Sequence, residues 1–372
     1  MCAGGNPIPL SSPDITDAER AAVAEVLDSG VLSLGPKVVE FERAFARYVG
    51  SRHAIAVSSG TAALHLSLRA CGLACDDEVI TSPFSFVASA NVALFEGARP
   101  VFVDIDATTL NMDVSRVEER ITERTRALLP VHVFGEPCDM AALLDVARRH
   151  ELVVVEDACE AVGATYRDRK VGTFGDAGTF AFYPNKQMTT GEGGMIVTDA
   201  DDIATYCRSA RNQGRSDDMR WLVHDRLGYN YRLDEMSAAL GLVQIGRIEE
   251  LLAKRRRVAE EYAQRLAAVP GVETLPSAPG SVRSWFVYVV LLPEGVDRDT
   301  VLAALREEGV GCRDYFTPIH LQPFYREKFG YGPGDFPVAE AIAARTLALP
   351  FHNNLTDAQI GAVVDTLARA LP

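Results

Sequence analysis

A lysine near the middle of the chain follows directly after a strand-like segment. The stretch FAFYPNKQMTTGEGG, residues 180–194, begins with apolar and aromatic residues and continues into a polar, glycine-rich loop that contains Lys186. An ammonium group beside a buried strand is costly to desolvate unless it has a partner. Its position therefore favours a reactive amine over an ordinary surface lysine.

A carboxylate stands in a comparable place earlier in the chain. The stretch LVVVEDACEAVGA, residues 152–164, sets two acidic residues directly after four apolar ones. In open parallel sheets, ligands bind outside the carboxyl ends of the strands, so Asp157 is placed to meet a ligand. A helix N-cap or an ordinary salt bridge would account for the same aspartate.

A possible anion site precedes both residues. In SSGTAALHL, residues 58–66, a strand ends at Val57 and a helix begins at about Thr61. The N-terminus of a helix presents free backbone N–H groups and the positive end of its dipole, and Gly60 lets an anion approach closely. Plain N-capping by Ser and Thr is the alternative explanation.

Taken together, the amine, the carboxylate and the anion site fit pyridoxal 5'-phosphate. The Lys186 amine would condense with the aldehyde of this cofactor, and Asp157 would keep the pyridine nitrogen protonated so that the ring can accept electrons. The helix N-terminus would hold the phosphate. The three features together indicate this cofactor far more specifically than any one of them alone.

Motifs along nearly the whole chain point to one family. The segments SSGTAALHLSL, TSPFSFVASANVALFEGARPVFVDID, VHVFGEPCDM, VVEDACEAVGA, FAFYPNKQMTTGEGGMIVTD, LGYNYRLDEMSAALGLVQI and YFTPIHLQPFY occur in the family's order. With them the chain resembles the DegT/StrS sugar aminotransferases, which are fold-type I pyridoxal-phosphate enzymes. The resemblance implies a mostly parallel seven-stranded sheet between helices and a smaller α+β C-terminal domain.

The resemblance also implies roles for particular cofactor-binding residues. Lys186 would carry the cofactor and act as the catalytic proton carrier, and Asp157 would pair with the ring nitrogen. The remaining cofactor residues would be Gly60 and Thr61 at the phosphate, Phe86 stacked on the ring, Glu160 near the ring hydroxyl, and Asn230 reaching the phosphate of a neighbouring subunit. A homodimer with shared active sites follows from the last of these roles.

Two residues depart from the family's commoner pattern, and a third bears on the reaction. Ala181 stands where a serine often contacts the phosphate, and Glu160 stands where many members have Gln or His. A carboxylate beside the ring hydroxyl would need a proton or a hydrogen-bond partner. Members that act as dehydratases have His at the lysine position, so Lys186 favours transamination.

Three further residues are candidates for substrate binding. His320 in TPIH and Arg313 in CRDYF belong to a region that borders the substrate in related enzymes, and Glu192 lies in the glycine-rich loop. A loop histidine with a backbone partner, a surface arginine and a capping carboxylate are the alternative explanations. The run Lys254–Arg257 would be either a solvated helix face or a nucleotide contact at an adjacent subunit.

The elements that must position these residues follow from the hydrophobic pattern. Short apolar runs alternate with helical patterns every 20 to 30 residues through the first half of the chain, which is typical of βαβ units and a parallel sheet. One such helical pattern is VSRVEERI, and from about residue 234 a longer pattern predicts two helices or one bent helix. We expect a large cofactor-binding domain over 1–240, a connecting helix and loop over 241–281 and a small domain over 282–372.

Composition excludes several classes of protein. A net charge of −14 disfavours nonspecific binding to nucleic acid or anionic membrane. The absence of a long apolar run and of a signal-peptide pattern predicts a cytoplasmic protein. Seven cysteines without a paired motif or a His/Cys cluster predict reduced thiols and no metal site.

These observations lead to one functional hypothesis and two alternatives. We expect an amino group to pass from an amino acid, L-glutamate in the first instance, to a nucleotide-linked keto-sugar during amino-sugar, polysaccharide or natural-product biosynthesis. Amination of a free cyclitol or cyclic ketone is the alternative within the family. A noncatalytic, cofactor-binding regulator is the alternative from another class, and the Lys186–Asp157 pair argues against it.

Overall fold

The computed structural model describes residues 7–216 and 223–372. Its strands are β1 (His53–Val57), β2 (Glu78–Thr81), β3 (Arg99–Phe102), β4 (Thr125–Leu129), β5 (Val153–Asp157), β6 (Thr165–Tyr166), β7 (Arg169–Lys170), β8 (Ala177–Ala181), β9 (Gly194–Thr198), β10 (Glu273–Thr274), β11 (Ser281–Val282), β12 (Tyr288–Leu291) and β13 (Thr346–Leu349). Its α-helices are α1 (Asp17–Ser29), α2 (Pro36–Val49), α3 (Gly60–Ala70), α4 (Ala88–Phe95), α5 (Met140–Arg149), α6 (Asp201–Ala210), α7 (Glu235–Gly246), α8 (Ile248–Leu266), α9 (Arg298–Glu307), α10 (Pro323–Phe329), α11 (Pro337–Arg345) and α12 (Asp357–Ala370).

The central sheet has seven strands in the order β1-β9-β8-β5-β4-β2-β3. Strands β8, β5, β4, β2 and β3 pair in parallel, and β9 runs antiparallel to both β8 and β1. Strand β2 is buried along its whole length, as expected for a strand covered on both faces. The predicted α/β fold with a mostly parallel sheet is confirmed.

Helices cover both faces of this sheet because successive strand residues point to opposite sides. On one face, Ile80 packs in a cluster with Phe45 of α2 and Leu143 of α5. Val79, the neighbour of Ile80 in β2, points to the other face and packs with Leu64 and other residues of α3 and α4. Helix α3 thus packs against the central sheet, in contact with β5 and β8.

A second, antiparallel sheet of three strands lies in the C-terminal part, in the order β10-β12-β13. Its core joins Val290 of β12 to Tyr262 of α8, Leu305 of α9 and Val363 of α12. Strand β10 lies within the segment expected to be a connecting helix and loop, and it pairs with β12. The division into domains at residues 240 and 281 stays a prediction.

Two helical predictions can be compared directly with the structure. The long pattern from residue 234 forms two helices, α7 and α8, separated at Arg247. The prediction of a helix over VSRVEERI was wrong, because the segment forms two short 3₁₀ turns, Val114–Arg116 and Glu118–Arg120. A run this short gains too few hydrogen bonds to offset helix nucleation, and 3₁₀ turns are the usual outcome.

Neither a membrane-spanning helix nor a metal-binding cluster is found within the described residues. No helix within residues 7–216 and 223–372 combines the length and apolar character needed to cross a bilayer. The six cysteines in these ranges are free thiols, and Cys2 lies outside them. The described residues contain no group of three or more His, Cys, Asp or Glu side chains arranged to hold a metal ion.

Candidate active site

Most of the predicted cofactor residues line one cavity of about 480 Å³. The cavity lies where the carboxyl ends of β5 and β8 meet the N-terminus of α3, as the topology of a parallel sheet requires. The predicted residues on its wall are Gly60, Thr61, Phe86, Asp157, Glu160, Lys186 and Glu192, together with Ala181. Glu192 is exposed, and Phe86 is 60% exposed.

Lys186 projects into this cavity from the loop that follows β8. Its side chain is 12% exposed, and its Nζ lies 3.7 Å from Glu160 Oε1. The same Nζ lies 3.7 Å from the centre of the Phe286 ring. The backbone N–H of Lys186 donates to the carbonyl of Tyr183 at 2.9 Å, which closes a turn under the side chain. The amine thus has a carboxylate and an aromatic face as its close partners.

Glu160 is buried behind the lysine, with 6% of its surface exposed. Its Oε2 accepts a hydrogen bond from the backbone N–H of Phe134 at 2.9 Å. Phe134 has a left-handed φ of 54°, which is uncommon for a bulky residue. Burial raises the pKa of Glu160 above its ordinary value, and the nearby Lys186 ammonium opposes this shift. The partners that a buried carboxylate needs are therefore Phe134 and Lys186.

Asp157 lies at the end of β5 and is 4% exposed. Its Oδ1 accepts from the backbone N–H of Cys159 at 3.1 Å, and its Oδ2 accepts from Ser89 Oγ at 2.8 Å. Each carboxylate oxygen can accept more than one hydrogen bond, so the group can take a further donor from the cavity. That donor would be a protonated ring nitrogen if the cofactor lies here.

The N-terminus of α3 is packed closely against β8 and β9. A Cβ at Gly60 would lie 2.7 Å from the Ala181 Cβ and 3.0 Å from Cys159 Sγ, so only glycine fits there. A Cβ at Gly194 would lie 2.4 Å from the carbonyl oxygen of Ser59. Ser59 caps the helix, its Oγ accepting from the N–H of Ala62 at 3.1 Å. The two glycines let the start of α3 pack directly against β8 and β9.

These groups fit pyridoxal 5'-phosphate in three independent respects. The helix N-terminus at Gly60 supplies N–H donors for a phosphate. Asp157 supplies a buried acceptor for the ring nitrogen, and Lys186 supplies the amine. Asn185 Oδ1 is also buried and has no hydrogen-bond partner among the described residues, so the cavity wall holds a polar atom free to meet a ligand.

Three predicted residues lie apart from this cavity. Asn230 is exposed, and it is absent from the described residues that line the cavity. His320 is fully buried, with its Nε2 3.0 Å from Glu340 Oε1. Burial lowers the pKa of His320, and the neighbouring Glu340 opposes this shift. Arg313 is exposed on the wall of a second cavity.

The second cavity, of about 1210 Å³, adjoins the first. Both cavities are lined by Ser85, Phe86, Tyr183, Tyr315 and Phe316. The wall of the second cavity is mainly aromatic and apolar, and Arg313 and Asp314 bring charge to it. Together the two cavities form one long cleft with Lys186 near one end.

Several residues that line or support the cavity were not predicted from the sequence. Phe286 and Tyr315 enter the first cavity from the C-terminal part, over 90 residues after Lys186. Arg255, one of four consecutive basic residues, is buried and donates to the carbonyl of Lys186 at 2.7 Å. Its position one helical turn from apolar residues at 251, 252, 258 and 259 could have indicated its burial.

Comparison with known proteins agrees with this geometry. The family model for the DegT/DnrJ/EryC1/StrS aminotransferase family matches residues 13–368. The chain is 44% identical to GDP-perosamine synthase of Caulobacter vibrioides over 368 residues, covering 98% of each chain. It is 40% identical to the spore coat polysaccharide biosynthesis protein SpsC of Bacillus subtilis over 373 residues, covering 97% of this chain and 96% of that protein.

Solved structures show the same relationship. DesV of S. venezuelae superimposes with a TM-score of 0.91 at 36% identity, covering 98% of both chains. The pyridoxal-phosphate form of Spr1654 from Streptococcus pneumoniae, described as a putative sugar aminotransferase, superimposes with a TM-score of 0.93 at 28% identity, also covering 98% of both chains. The chain belongs to the DegT/DnrJ/EryC1/StrS aminotransferase family and is a pyridoxal-phosphate-dependent aminotransferase.

Proposed function

We propose that the protein transfers an amino group from an amino acid, L-glutamate in the first instance, to a keto-sugar linked to a nucleotide. The observation that carries this proposal is the near full-length similarity to proteins named GDP-perosamine synthase. These occur in Caulobacter vibrioides, Vibrio cholerae and Escherichia coli O157:H7, at 44%, 36% and 35% identity. A GDP-linked keto-sugar is therefore the first substrate to test.

The shape of the cleft supports a long substrate. The cavity at Lys186 has room for the cofactor and a sugar ring, at about 480 Å³, but a nucleotide would have to extend beyond it. The adjoining cavity offers about 1210 Å³ and an exposed Arg313. A guanidinium matches the geometry and charge of phosphate oxygens. We place the sugar near Lys186 and the nucleotide in the second cavity.

Each of several residues in the first cavity has a separate role in the proposed reaction. When bound, pyridoxal 5'-phosphate supplies an aldehyde that accepts the amino group and a ring that delocalises an electron pair. Asp157 would accept a hydrogen bond from the protonated ring nitrogen, and the α3 N-terminus at Gly60 would hold the phosphate. Phe86, which lines the same cavity, would stack on one ring face.

Lys186 performs two tasks in this scheme. With the cofactor bound, its Nζ would hold the cofactor between reaction cycles. Once free, Nζ would take the proton from the α-carbon of the amino donor and pass it to the cofactor, and in the second half-reaction it would return a proton to the acceptor carbon of the sugar. Glu160 Oε1, 3.7 Å from Nζ, is the carboxylate that faces the amine.

The protein is further proposed to be a homodimer in which Asn230 reaches the phosphate held by its partner. Asn230 is exposed, as a residue that acts in a neighbouring site has to be. The C2 dimer is the commonest symmetric oligomer, and its single self-complementary interface would complete both sites at once. The cytoplasmic location expected from the sequence also stays a proposal.

One assay tests the function and its alternatives. The purified, cofactor-loaded protein is incubated with L-glutamate and, in turn, GDP-, UDP- and dTDP-linked keto-sugars, a cyclitol-derived ketone, and no acceptor. Oxo-acid formation together with replacement of the ketone by an amine in the mass spectrum, seen with a nucleotide keto-sugar, supports the proposal. Turnover with the cyclitol ketone alone favours the first alternative. A spectrum that never responds to any amino donor would reject a catalytic role.

A further inference from the structure

Two serines form a buried chain of hydroxyl groups that ends on Asp157. Ser89 Oγ lies 2.8 Å from Asp157 Oδ2, and Ser85 Oγ lies 2.9 Å from Ser89 Oγ. Ser85 is 4% exposed, Ser89 2% and Asp157 4%. The two serines belong to the segment that enters α4, far from Asp157 in sequence, so the contact is made by the fold.

The direction of this chain follows from the number of protons. A serine hydroxyl has one proton to donate and can accept from two donors. Three acceptors lie within reach of the Ser89 hydroxyl: Asp157 Oδ2 at 2.8 Å, Ser85 Oγ at 2.9 Å and the carbonyl of Phe86 at 3.2 Å. A charged carboxylate is the stronger acceptor, so Ser89 donates to Asp157. Ser85 then supplies the proton between the two serines.

The other oxygen of Asp157 is fixed from the opposite side. Its Oδ1 accepts from the backbone N–H of Cys159 at 3.1 Å. One donor on each oxygen fixes the plane of the carboxylate, so it cannot rotate without breaking a buried hydrogen bond. In a low-dielectric interior, hydrogen bonds in a chain reinforce one another.

We propose that Ser89, supported by Ser85, is a positioning residue for Asp157. The hydroxyl chain keeps the Asp157 carboxylate aimed at the cavity, where it can accept a hydrogen bond from the protonated ring nitrogen of the bound cofactor. This inference rests on the proposed pairing of Asp157 with that nitrogen. A purely structural role would be to fasten the start of α4 through the contact between Ser89 and Phe86, and it would act on stability alone.

Four variants separate the two roles. Ser89→Ala removes the donor, and Ser89→Cys replaces it with a weak donor of similar volume, so packing is preserved. Ser85→Ala removes the second hydroxyl and leaves Ser89 able to donate. Ser67→Ala is the matched control, because Ser67 is fully buried on α3 and its hydroxyl has no hydrogen-bond partner among the described residues.

Three measurements are made on each cofactor-loaded protein. They are the ¹⁵N chemical shift of the cofactor's ring nitrogen, the single-turnover rate with L-glutamate alone, and the melting temperature. We expect Ser89→Ala and Ser89→Cys to shift the ¹⁵N signal toward the unprotonated form. Their rate with glutamate should fall about tenfold, the equivalent of one lost hydrogen bond to a charged group. Ser85→Ala should change the ¹⁵N shift and the rate in the same direction but by smaller amounts. Ser67→Ala should change neither the shift nor the rate.

The inference is overturned if Ser89→Cys keeps the wild-type ¹⁵N signal and rate, or if the Ser89 variants lower only the melting temperature. A larger effect from Ser85→Ala than from Ser89→Ala would also overturn it, since the chain would then not run through Ser89. Asp157→Asn distinguishes this failure from failure of the proposed function. If Asp157→Asn leaves the ¹⁵N signal unchanged, Asp157 does not pair with the ring nitrogen at all, and the assignment of the site itself is wrong.

Discussion

The amine of Lys186 lies 3.7 Å from the centre of the Phe286 ring, although 100 residues separate the two in sequence. Arg255 explains how this distance is set. Its guanidinium donates to the carbonyl of Lys186 at 2.7 Å and to that of Phe286 at 3.1 Å, so one buried group binds both backbones. Burial lowers the pKa of Arg255 to about 10. The loop of the central sheet and the C-terminal sheet thus meet at one side chain of α8.

Arg255→Lys should destabilise the protein and loosen the cofactor. An ammonium group is a point donor and cannot reproduce the fork that binds the two backbones. We expect the free energy of unfolding in urea to fall by about 1–3 kcal/mol, because buried carbonyls lose their donors. The rate of cofactor release should rise as the Lys186 loop becomes less constrained.

The matched control is Arg256→Lys on the same helix. Arg256 is exposed, and surface exchanges of this kind usually change stability by less than about 0.5 kcal/mol. If both variants unfold at the same urea concentration as the wild type, Arg255 does not join the two regions.

Lys186→Ala should abolish both turnover and the yellow colour of the purified protein. The colour arises from the cofactor bound to a lysine amine, so removal of Nζ removes the visible absorbance band. Some cofactor should still bind through the other groups of the cavity and be released by dialysis. Lys328→Ala, at an exposed lysine of α10, should keep colour and turnover. Normal turnover in Lys186→Ala would mean that another amine performs the reaction.

Ala181→Ser should strengthen cofactor binding. Ala181 lines the first cavity against Gly60, the position from which many family members contact the phosphate with a serine hydroxyl. A hydrogen bond to a charged group contributes about 1.5–3 kcal/mol, so the dissociation constant should fall by about tenfold or more. Equilibrium titration of the cofactor-free protein measures this change. An unchanged dissociation constant would show that the phosphate lies out of reach of residue 181.

Local sequence patterns predicted several residues that line the cavity at Lys186. They did not predict the contacts made there by residues distant in sequence. Asp157 and Gly60 could be placed because each stands at the junction of a strand and a helix or loop, where parallel sheets bind ligands. Phe286 could not, since no pattern in its own segment indicates which loop its ring will face. The substrate role predicted for His320 stays a prediction; the folded chain buries its ring with Nε2 3.0 Å from Glu340 Oε1, a contact that its motif does not indicate.

Glu19 should make stability depend on pH in the acid range. Burial alone would raise its pKa, but hydrogen bonds from Thr16, Gln244 and Arg247 outweigh that effect and lower the pKa to about 2 from an ordinary value of 4.5. Below pH 4.5 the unfolded chain therefore binds a proton that the folded chain does not. The free energy of unfolding falls as the pH drops from 4.5 toward 2, and the contribution is fully present above that window.

Urea unfolding of Glu19→Gln at pH 7, 4 and 3 tests this prediction. The variant should be less stable at pH 7 and should lose less stability on acidification than the wild type. Glu25→Gln is the control, because Glu25 is exposed on the same helix and pairs loosely with Lys37 at 3.3 Å. Equal acid sensitivity of Glu19→Gln and wild type would contradict the predicted contribution.

The proposed sharing of sites can be tested by mixing two inactive variants. If Asn230 acts in its partner's site, a mixed dimer of Lys186→Ala and Asn230→Asp holds one site with both changes and one site with neither. In an equal mixture, half of the dimers are mixed and each has one intact site, so about a quarter of wild-type activity should return when closed two-fold dimers exchange subunits. The aspartate in Asn230→Asp should repel the phosphate, so that variant alone should bind cofactor weakly. Subunit exchange is verified by mass spectrometry of tagged chains. Exchange without any recovery of activity would place Asn230 outside the partner's site and leave it a structural residue of its own subunit.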